Sequence, residues 1–209
     1  DGLDLEGDVI LPDDQGTVHV TVTGGGLRAG QDGKIVLTAL LASTKKDAPV
    51  DSLSLHSDIT VHMDTPRSFE HVAVVSDATA KGGQFPGGAG VHVSLDAARG
   101  PEGGEAYSVV LRTGDKELVN CAVTLPDGTA PLTGTWVIDV HDTDLAPVAL
   151  GRALPSFAAT GQGTVTADRA FSEVHATGQL NTTVDRLAAL SPEFAAIGRV
   201  DFTTDFDVT

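Results

Sequence analysis

The stretch SLSLHSDITVHM, residues 52–63, decides the fold of this chain. Apolar side chains such as Leu53 and Ile59 alternate there with polar side chains such as His56 and Asp58. Alternation with a period of two places the apolar set on one face of an extended strand and the polar set on the other. A strand with one wet face is typical of antiparallel sheets, because parallel sheets are usually covered on both faces.

The same alternation recurs along the whole chain. It is clear in four more segments, 17–23, 91–97, 135–141 and 200–208. Weaker strand candidates cover 3–10, 34–42, 69–76, 106–112, 118–125, 163–168 and 173–180. Short strands separated by frequent glycine and aspartate turns are typical of sandwiches and related folds. We therefore expect an all-β fold, an antiparallel β-sandwich or jelly roll of roughly ten strands.

Helical signals are few and concentrate near 184–197. Among the acidic residues, Asp outnumbers Glu, and Asp favours turns whereas Glu favours helices. Ser191 followed by Pro192 has the pattern of a helix N-cap with Pro at the first helical position. The sequence therefore predicts at most one or two short helices in this region.

Two interpretations of the domain organisation are open. We favour a single β-sandwich domain over 1–209, because no Pro- and Ser-rich linker divides the chain. Two glycine-rich segments, 79–90 and 98–105, predict long mobile hairpin loops. The alternative is that these segments mark a boundary between two immunoglobulin-like halves, 1–100 and 105–209.

The net charge excludes several kinds of partner. The chain has 29 Asp and Glu against 13 Lys and Arg, which gives a formal net charge of −16 at pH 7. Nucleic-acid binding needs a basic surface that replaces phosphate counterions, so no nucleic-acid partner is expected.

The longest apolar stretch, 35–42, is far shorter than the about 20 residues of a membrane-spanning helix, so no membrane insertion is expected.

The densest acidic segment, 139–144, is the candidate cation site. Asp139, Asp142 and Asp144 come at the end of a predicted strand, and hard cations such as Ca²⁺ bind several carboxylate oxygens. The segment lacks the Gly and the Glu that an EF-hand loop requires. These three residues are the candidate calcium ligands, although a polar turn without metal is the interpretation that we favour, and we predict no other cofactor.

The seven histidines all lie in predicted strands. His56 with Asp58, and Asp139 with His141, are two residues apart on one strand face, a spacing that allows a histidine–carboxylate hydrogen bond. A histidine on the wet face of a sheet is more often simply solvated, and we interpret all seven in this way.

Catalytic patterns are scarce. No Gly-x-Ser-x-Gly elbow is present, which argues against an α/β-hydrolase-type serine site. Cys121, the single cysteine, cannot form an internal disulfide, and it alternates with apolar residues, so we expect it in the core. Trp136 lies on an apolar strand face and is interpreted in the same way. The sequence therefore predicts no catalytic residue.

One short internal repeat is present. Ala-Thr-Gly-Gln occurs at 159–162 and again at 176–179. The offset is about the length of one hairpin, so we expect two neighbouring strands that use the same short sequence at the edge of a sheet. A true repeat array would need at least about three copies.

Three hypotheses for function follow. The first is a non-catalytic structural or assembly protein exposed outside the cell or on a virion, such as a capsid, spike, tail or filament subunit. Its partners would be copies of itself or other structural subunits, reached when 3–10 or 200–208 adds to a neighbour's sheet edge. The second is a secreted Ca²⁺-dependent adhesin or ligand-binding module. The third is a hydrolase on a β scaffold.

Overall fold

A computed structural model describes residues 2–12, 16–45, 48, 50–65, 68–82, 85–145, 155–170, 172–189 and 191–209, with the side chains of 85–89, 189 and 195 left aside. The chain divides into two compact units, Asp1–Gly100 and Pro101–Thr209. The division lies inside the glycine-rich segment 98–105 that the sequence marks. Both interpretations of the domain organisation stay predictions.

The first unit consists of six antiparallel strands. They are β1 (Gly2–Ile10), β2 (Gly16–Gly25), β3 (Asp32–Ser43), β4 (Ser52–Thr65), β5 (Ser68–Gly82) and β6 (Phe85–Arg99). Each strand pairs with the strand that precedes it and the strand that follows it, from β1·β2 to β5·β6. The connectivity within unit 1 is therefore a meander.

The second unit has the same connectivity. Its strands are β7 (Glu105–Thr113), β8 (Lys116–Leu125), β9 (Leu132–His141), β10 (Ser156–Ala167), β11 (Val174–Asp185) and β12 (Val200–Val208). The four-residue helix α1 (Asp142–Leu145) follows β9, and two 3₁₀ turns, Leu187–Ala189 and Pro192–Ala196, precede β12. Antiparallel pairing again joins chain neighbours, from β7·β8 to β11·β12.

The predicted all-β antiparallel class is confirmed, and so are the short helices near 184–197. Ser191 caps the second 3₁₀ turn, because its hydroxyl accepts the backbone N–H of Glu193 at 3.4 Å. The sequence did not predict α1. None of the described helices is long and apolar enough to cross a membrane.

The long loop predicted over 79–90 is wrong. β5 continues to Gly82 and β6 begins at Phe85, with Thr79 opposite Gly90 in the ladder. Glycine weakens a strand but does not forbid one, and pairing with a neighbour overrides that weak preference.

The register sorts the side chains of unit 1 onto two faces. Leu5, Val22 and Leu37 occupy one row across β1, β2 and β3. The apolar face of unit 1 contains Leu3, Leu5, Val20, Val22, Ile35, Leu37, Leu53, Leu55, Ile59, Val74, Val93 and Leu95. The polar face of unit 1 contains Asp4, Glu6, Asp8, His19, Thr21, Thr38, His56, Asp58, Asp77, His92 and Asp96.

Unit 2 is divided in the same way. One row across its sheet joins Val109, Cys121, Trp136, Gly163, Gly178 and Phe206. The apolar face of unit 2 contains this row together with Val119, Val123, Ile138, Val140, Val165, Leu180 and Phe202. Cys121 and Trp136 therefore lie on the apolar face, where the alternation places them.

Both apolar faces are only partly covered. Of the described residues with a side chain, only Ala97, Leu118, Ala167 and Ser57 are buried, and no large side chain is fully buried. Leu53 is 42% exposed and Phe202 is 57% exposed. The alternation therefore predicts the correct faces, but the faces are half-open surfaces rather than a closed core.

Candidate functional site

Two of the three predicted calcium ligands, Asp139 and Asp144, contact a lysine. Lys116, the first residue of β8, places its Nζ 2.5 Å from a carboxylate oxygen of Asp144 and 3.5 Å from one of Asp139. The backbone N–H of His141 donates to the same Asp144 oxygen at 2.7 Å. Asp142 lies apart from this group, 3.7 Å from the guanidinium of Arg186.

Charge and hydrogen bonding shift two pKa values here. Burial alone would raise the pKa of Asp144, but the hydrogen bonds from Lys116 and from the His141 backbone outweigh it, so the pKa lies below the ordinary value. Burial alone would lower the pKa of Lys116, but Asp144 and Asp139 outweigh it, so that pKa lies above its ordinary value. Both groups are therefore charged at neutral pH.

The ammonium group of Lys116 thus occupies the position beside Asp139 and Asp144 at which the sequence suggests a metal ion. Among the residues that the structure describes, no group of three or more His, Cys, Asp or Glu side chains is arranged to hold a metal. Asp139 and Asp144 share Lys116, whose single positive charge offsets part of their negative charge. The calcium site stays a prediction, and the contacts favour the alternative of a polar turn without metal.

Every histidine lies close to a carboxylate. The nitrogen–oxygen distances are 2.8 Å for His19–Asp8, 3.2 Å for His56–Asp58, 2.7 Å for His62–Asp32, 2.6 Å for His71–Asp96, 2.8 Å for His92–Asp77, 3.0 Å for His141–Asp139 and 3.4 Å for His175–Asp207. The two pairs spaced by two residues in sequence are among them. The interpretation of the histidines as simply solvated missed the other five partners.

Five of these pairs join neighbouring strands rather than residues of one strand. His19 of β2 reaches β1, and His92 of β6 reaches β5. Sequence spacing along one strand cannot show such partners, because they depend on the register between strands. The five pairs link adjacent strands through their side chains.

A glycine floor lies under the indole of Trp136. Gly163 and Gly178 are directly opposite each other on β10 and β11, and a Cβ added at either would lie 2.7 Å or 2.5 Å from the Trp136 ring. Phe206 of β12 continues the row and stacks against the indole. Only residues without a side chain leave room for a flat ring in this position.

The floor explains the repeat of Ala-Thr-Gly-Gln. Gly161 of the first copy and Gly178 of the second copy both lie beside Trp136, where an added Cβ would be 3.1 Å and 2.5 Å from the ring. The two copies are on neighbouring strands as expected. The interpretation as a sheet-edge solution is wrong, because β10 and β11 each have a strand on both sides.

Two hydroxyl groups interrupt the apolar face of unit 1. Ser57 of β4 is directly opposite Ser76 of β5, and their hydroxyls are 2.8 Å apart. Ser57 is 7% exposed. The hydrogen bond satisfies two polar groups that would otherwise lack a partner in an apolar setting.

A shallow pocket of about 210 Å³ opens beside the turn between β2 and β3. Leu3, Ile35, Leu27 and Arg28 contribute to its wall, together with three glycines. Pockets that enclose a drug-sized ligand usually measure about 300–1,000 Å³. The pocket is therefore too small to identify an active site.

The terminal strands pair within their own chain. β1 is hydrogen-bonded to β2, and β12 is hydrogen-bonded to β11. All nine residues of β1 are exposed.

Comparison of the chain with protein-family models, curated proteins and solved structures finds no match.

Proposed function

We propose that this chain is a non-catalytic structural or assembly protein that self-associates through the apolar face of unit 1. The observation that carries the proposal is the exposure of that face. Leu5, Leu53 and Leu95 are 58%, 42% and 39% exposed, although each faces the same side of the sheet as its apolar neighbours. Contiguous apolar patches of this kind mark interaction surfaces.

The dimensions of the face fit a second copy of the chain. The six strands of unit 1 have 9 to 15 residues. At about 3.3 Å per residue and about 4.8 Å between strands, they give a face of about 1,200 Å². Two such faces in contact bury about 2,400 Å², which is within the range of obligate homodimer interfaces. Asp58, Asp77 and Asp96 point to the opposite face, so the contact brings few like charges together.

The setting outside the cell or on a virion is part of the same proposal. Its support is compositional: Asp-rich turns and a net charge of −16, which keeps a concentrated protein soluble. The proposed partners are copies of this chain or other structural subunits.

Sedimentation velocity over a series of protein concentrations tests the proposal. Leu53→Lys on the apolar face should weaken dimer formation by about tenfold or more. Leu40→Lys is the matched control, since Leu40 is 50% exposed and lies on the polar face of the adjacent strand. A wild-type chain that stays monomeric at all concentrations, or equal effects of both variants, would overturn the proposal.

A further inference from the structure

β1 has an open, regular edge. In the part of the chain that the structure describes, β1 pairs with β2 and with no other strand. Its nine residues pair without a register shift and contain no proline. Natural proteins usually protect an exposed edge by bulges, prolines, shortness or charged side chains. Of these four devices β1 has only the last, in Asp4, Glu6 and Asp8, and like charges reject acidic strands but admit basic ones.

The outward backbone groups of β1 belong to its acidic residues. The N–H of Leu11 donates to the carbonyl oxygen of Gly16 at 2.9 Å, which identifies this position as a hydrogen-bonded pair. In an antiparallel ladder, bonded and non-bonded pairs alternate. Every second residue back along β1 therefore points its N–H and C=O toward β2, and Asp8, Glu6 and Asp4 point theirs away from the sheet.

The side chains of the edge alternate in chemistry. Asp4, Glu6 and Asp8 share the polar face, while Leu3, Leu5 and Val9 share the apolar face. The three apolar side chains are 38%, 58% and 55% exposed. A strand added to this edge thus meets unpaired backbone groups, an apolar row on one side and an acidic row on the other.

A second copy of this chain does not match that edge. Pairing β1 with β1 would place acids opposite acids, and like charges directly opposite each other are destabilising. β12 presents Asp201, Asp205 and Asp207 on its polar face and would do the same. None of the described strands carries more than one Lys or Arg.

A basic group already fits against the acidic row from the inner side. His19 of β2 lies 2.8 Å from an oxygen of Asp8 and 3.5 Å from an oxygen of Glu6. The side chains of Glu6 and Asp8 remain 71% and 63% exposed. Space for a base on the outer side of the same two carboxylates is therefore open.

We infer that the β1 edge binds an extended segment of another protein in which apolar residues alternate with Lys or Arg. The segment adds a seventh strand to unit 1, its backbone bonding to Asp4, Glu6 and Asp8 and its basic side chains pairing with their carboxylates. Its apolar side chains extend the apolar row of Leu3 and Leu5. The acidic row selects this partner and rejects acidic strands, including those of the same chain.

A labelled nine-residue peptide of alternating Val and Lys is the probe, and fluorescence anisotropy measures its binding. It should bind at least about tenfold more tightly than a Val–Glu peptide, and added salt should weaken it. Glu6→Lys should reduce affinity about tenfold. Asp58→Lys, which changes an acid of similar exposure, 62%, on an interior strand of the same face, should have little effect.

Two N-methylated peptides separate strand addition from attraction to an acidic surface. Alternate N–H groups of the bound peptide point toward β1 and away from it. One peptide is methylated at the amides that point toward β1, which removes the hydrogen bonds to the edge, and the other is methylated at the amides that point away, which leaves these hydrogen bonds intact. A large loss of affinity for the first peptide alone supports the inference. Equal affinities for both methylated peptides, or undiminished binding by Glu6→Lys, would overturn it. The result does not depend on self-association, because the Leu53→Lys chain keeps the same edge.

Discussion

The indole of Trp136 stacks on the ring of Phe206, with ring centroids 5.9 Å apart and planes inclined by 12°. The two residues are on β9 and β12, with two strands between them. The indole bridges this distance because Gly163 and Gly178 occupy the intervening positions of the row. A large aromatic side chain thus extends across several strands instead of packing between layers.

Filling the glycine floor should therefore destabilise unit 2. A Cβ at Gly178 would lie 2.5 Å from Trp136 and 2.9 Å from Phe206, so Gly178→Ala should lower the free energy of unfolding by about 1–3 kcal/mol. Urea denaturation followed by Trp136 fluorescence measures the loss. Gly198→Ala is the control, because Gly198 lies in unit 2 and a Cβ there contacts nothing within 4 Å. Equal stabilities of the two variants would contradict the proposed role of the floor.

Asp144 should contribute to stability except at strongly acidic pH. Its native pKa is lowered, so its contribution is present above the pKa of the unfolded chain and is lost as the pH falls through the native value. At pH 7, Asp144→Asn should cost about 1–2 kcal/mol. The difference from wild type should shrink as the pH falls below about 4, the ordinary pKa of an aspartate carboxyl, and through the lower native pKa.

Urea denaturation at several pH values measures this dependence. Asp142→Asn is the matched control, since its carboxylate is 3.7 Å from Arg186 and lacks the contact with Lys116. We expect a cost within about 0.5 kcal/mol for that variant. Lys116, whose pKa is raised, should contribute below its ordinary pKa and lose its contribution as the pH rises through the native value. A cost of Asp144→Asn that does not change with pH would contradict the pairing.

Calcium should leave the wild-type melting temperature unchanged. The Lys116 ammonium already contacts Asp139 and Asp144, and a divalent ion would have to displace it. Lys116→Met leaves the two carboxylates without that cation, so its melting temperature should rise when calcium is added. A wild-type rise that Asp144→Asn removes would instead support the calcium site that the sequence predicts.

The serine pair should behave as a coupled unit. Ser57→Ala leaves the hydroxyl of Ser76 without its partner at 2.8 Å and should cost about 1–2 kcal/mol. The double variant should cost less than the sum of the single variants, with a coupling of about 1 kcal/mol. The exposed pair Thr164 and Thr177, 2.9 Å apart, should show a smaller coupling. Strict additivity at Ser57 and Ser76 would contradict the interpretation.

Alternation predicts the strands and their faces well, because it is a property of each strand alone. The stretch 52–63 becomes β4 (Ser52–Thr65), and Leu53 and His56 fall on the predicted faces. The glycine-rich segment 79–90 was misread because pairing between β5 and β6 decides its structure. Local preference is weaker than the ladder at such positions.

The candidate site was harder to predict, because its contacts depend on register. Nothing near Asp144 in sequence indicates Lys116, which is 28 residues away. The repeat that contains Gly161 and Gly178 is visible in the sequence. Its structural role is not, because it depends on the position of the Trp136 ring over both glycines. A sequence shows which residues share a face, whereas the neighbours across that face follow from how the strands are aligned.

The pairing of every histidine with a carboxylate determines where a positive charge would arise if a histidine bound a proton. Protonation of all seven histidines would change the formal net charge from −16 to −9. Each new positive charge would arise next to an existing negative one, since each imidazole lies within 3.4 Å of an acidic oxygen. Protons added at these imidazoles would therefore reduce the electrostatic repulsion between molecules without creating a cationic patch on either unit.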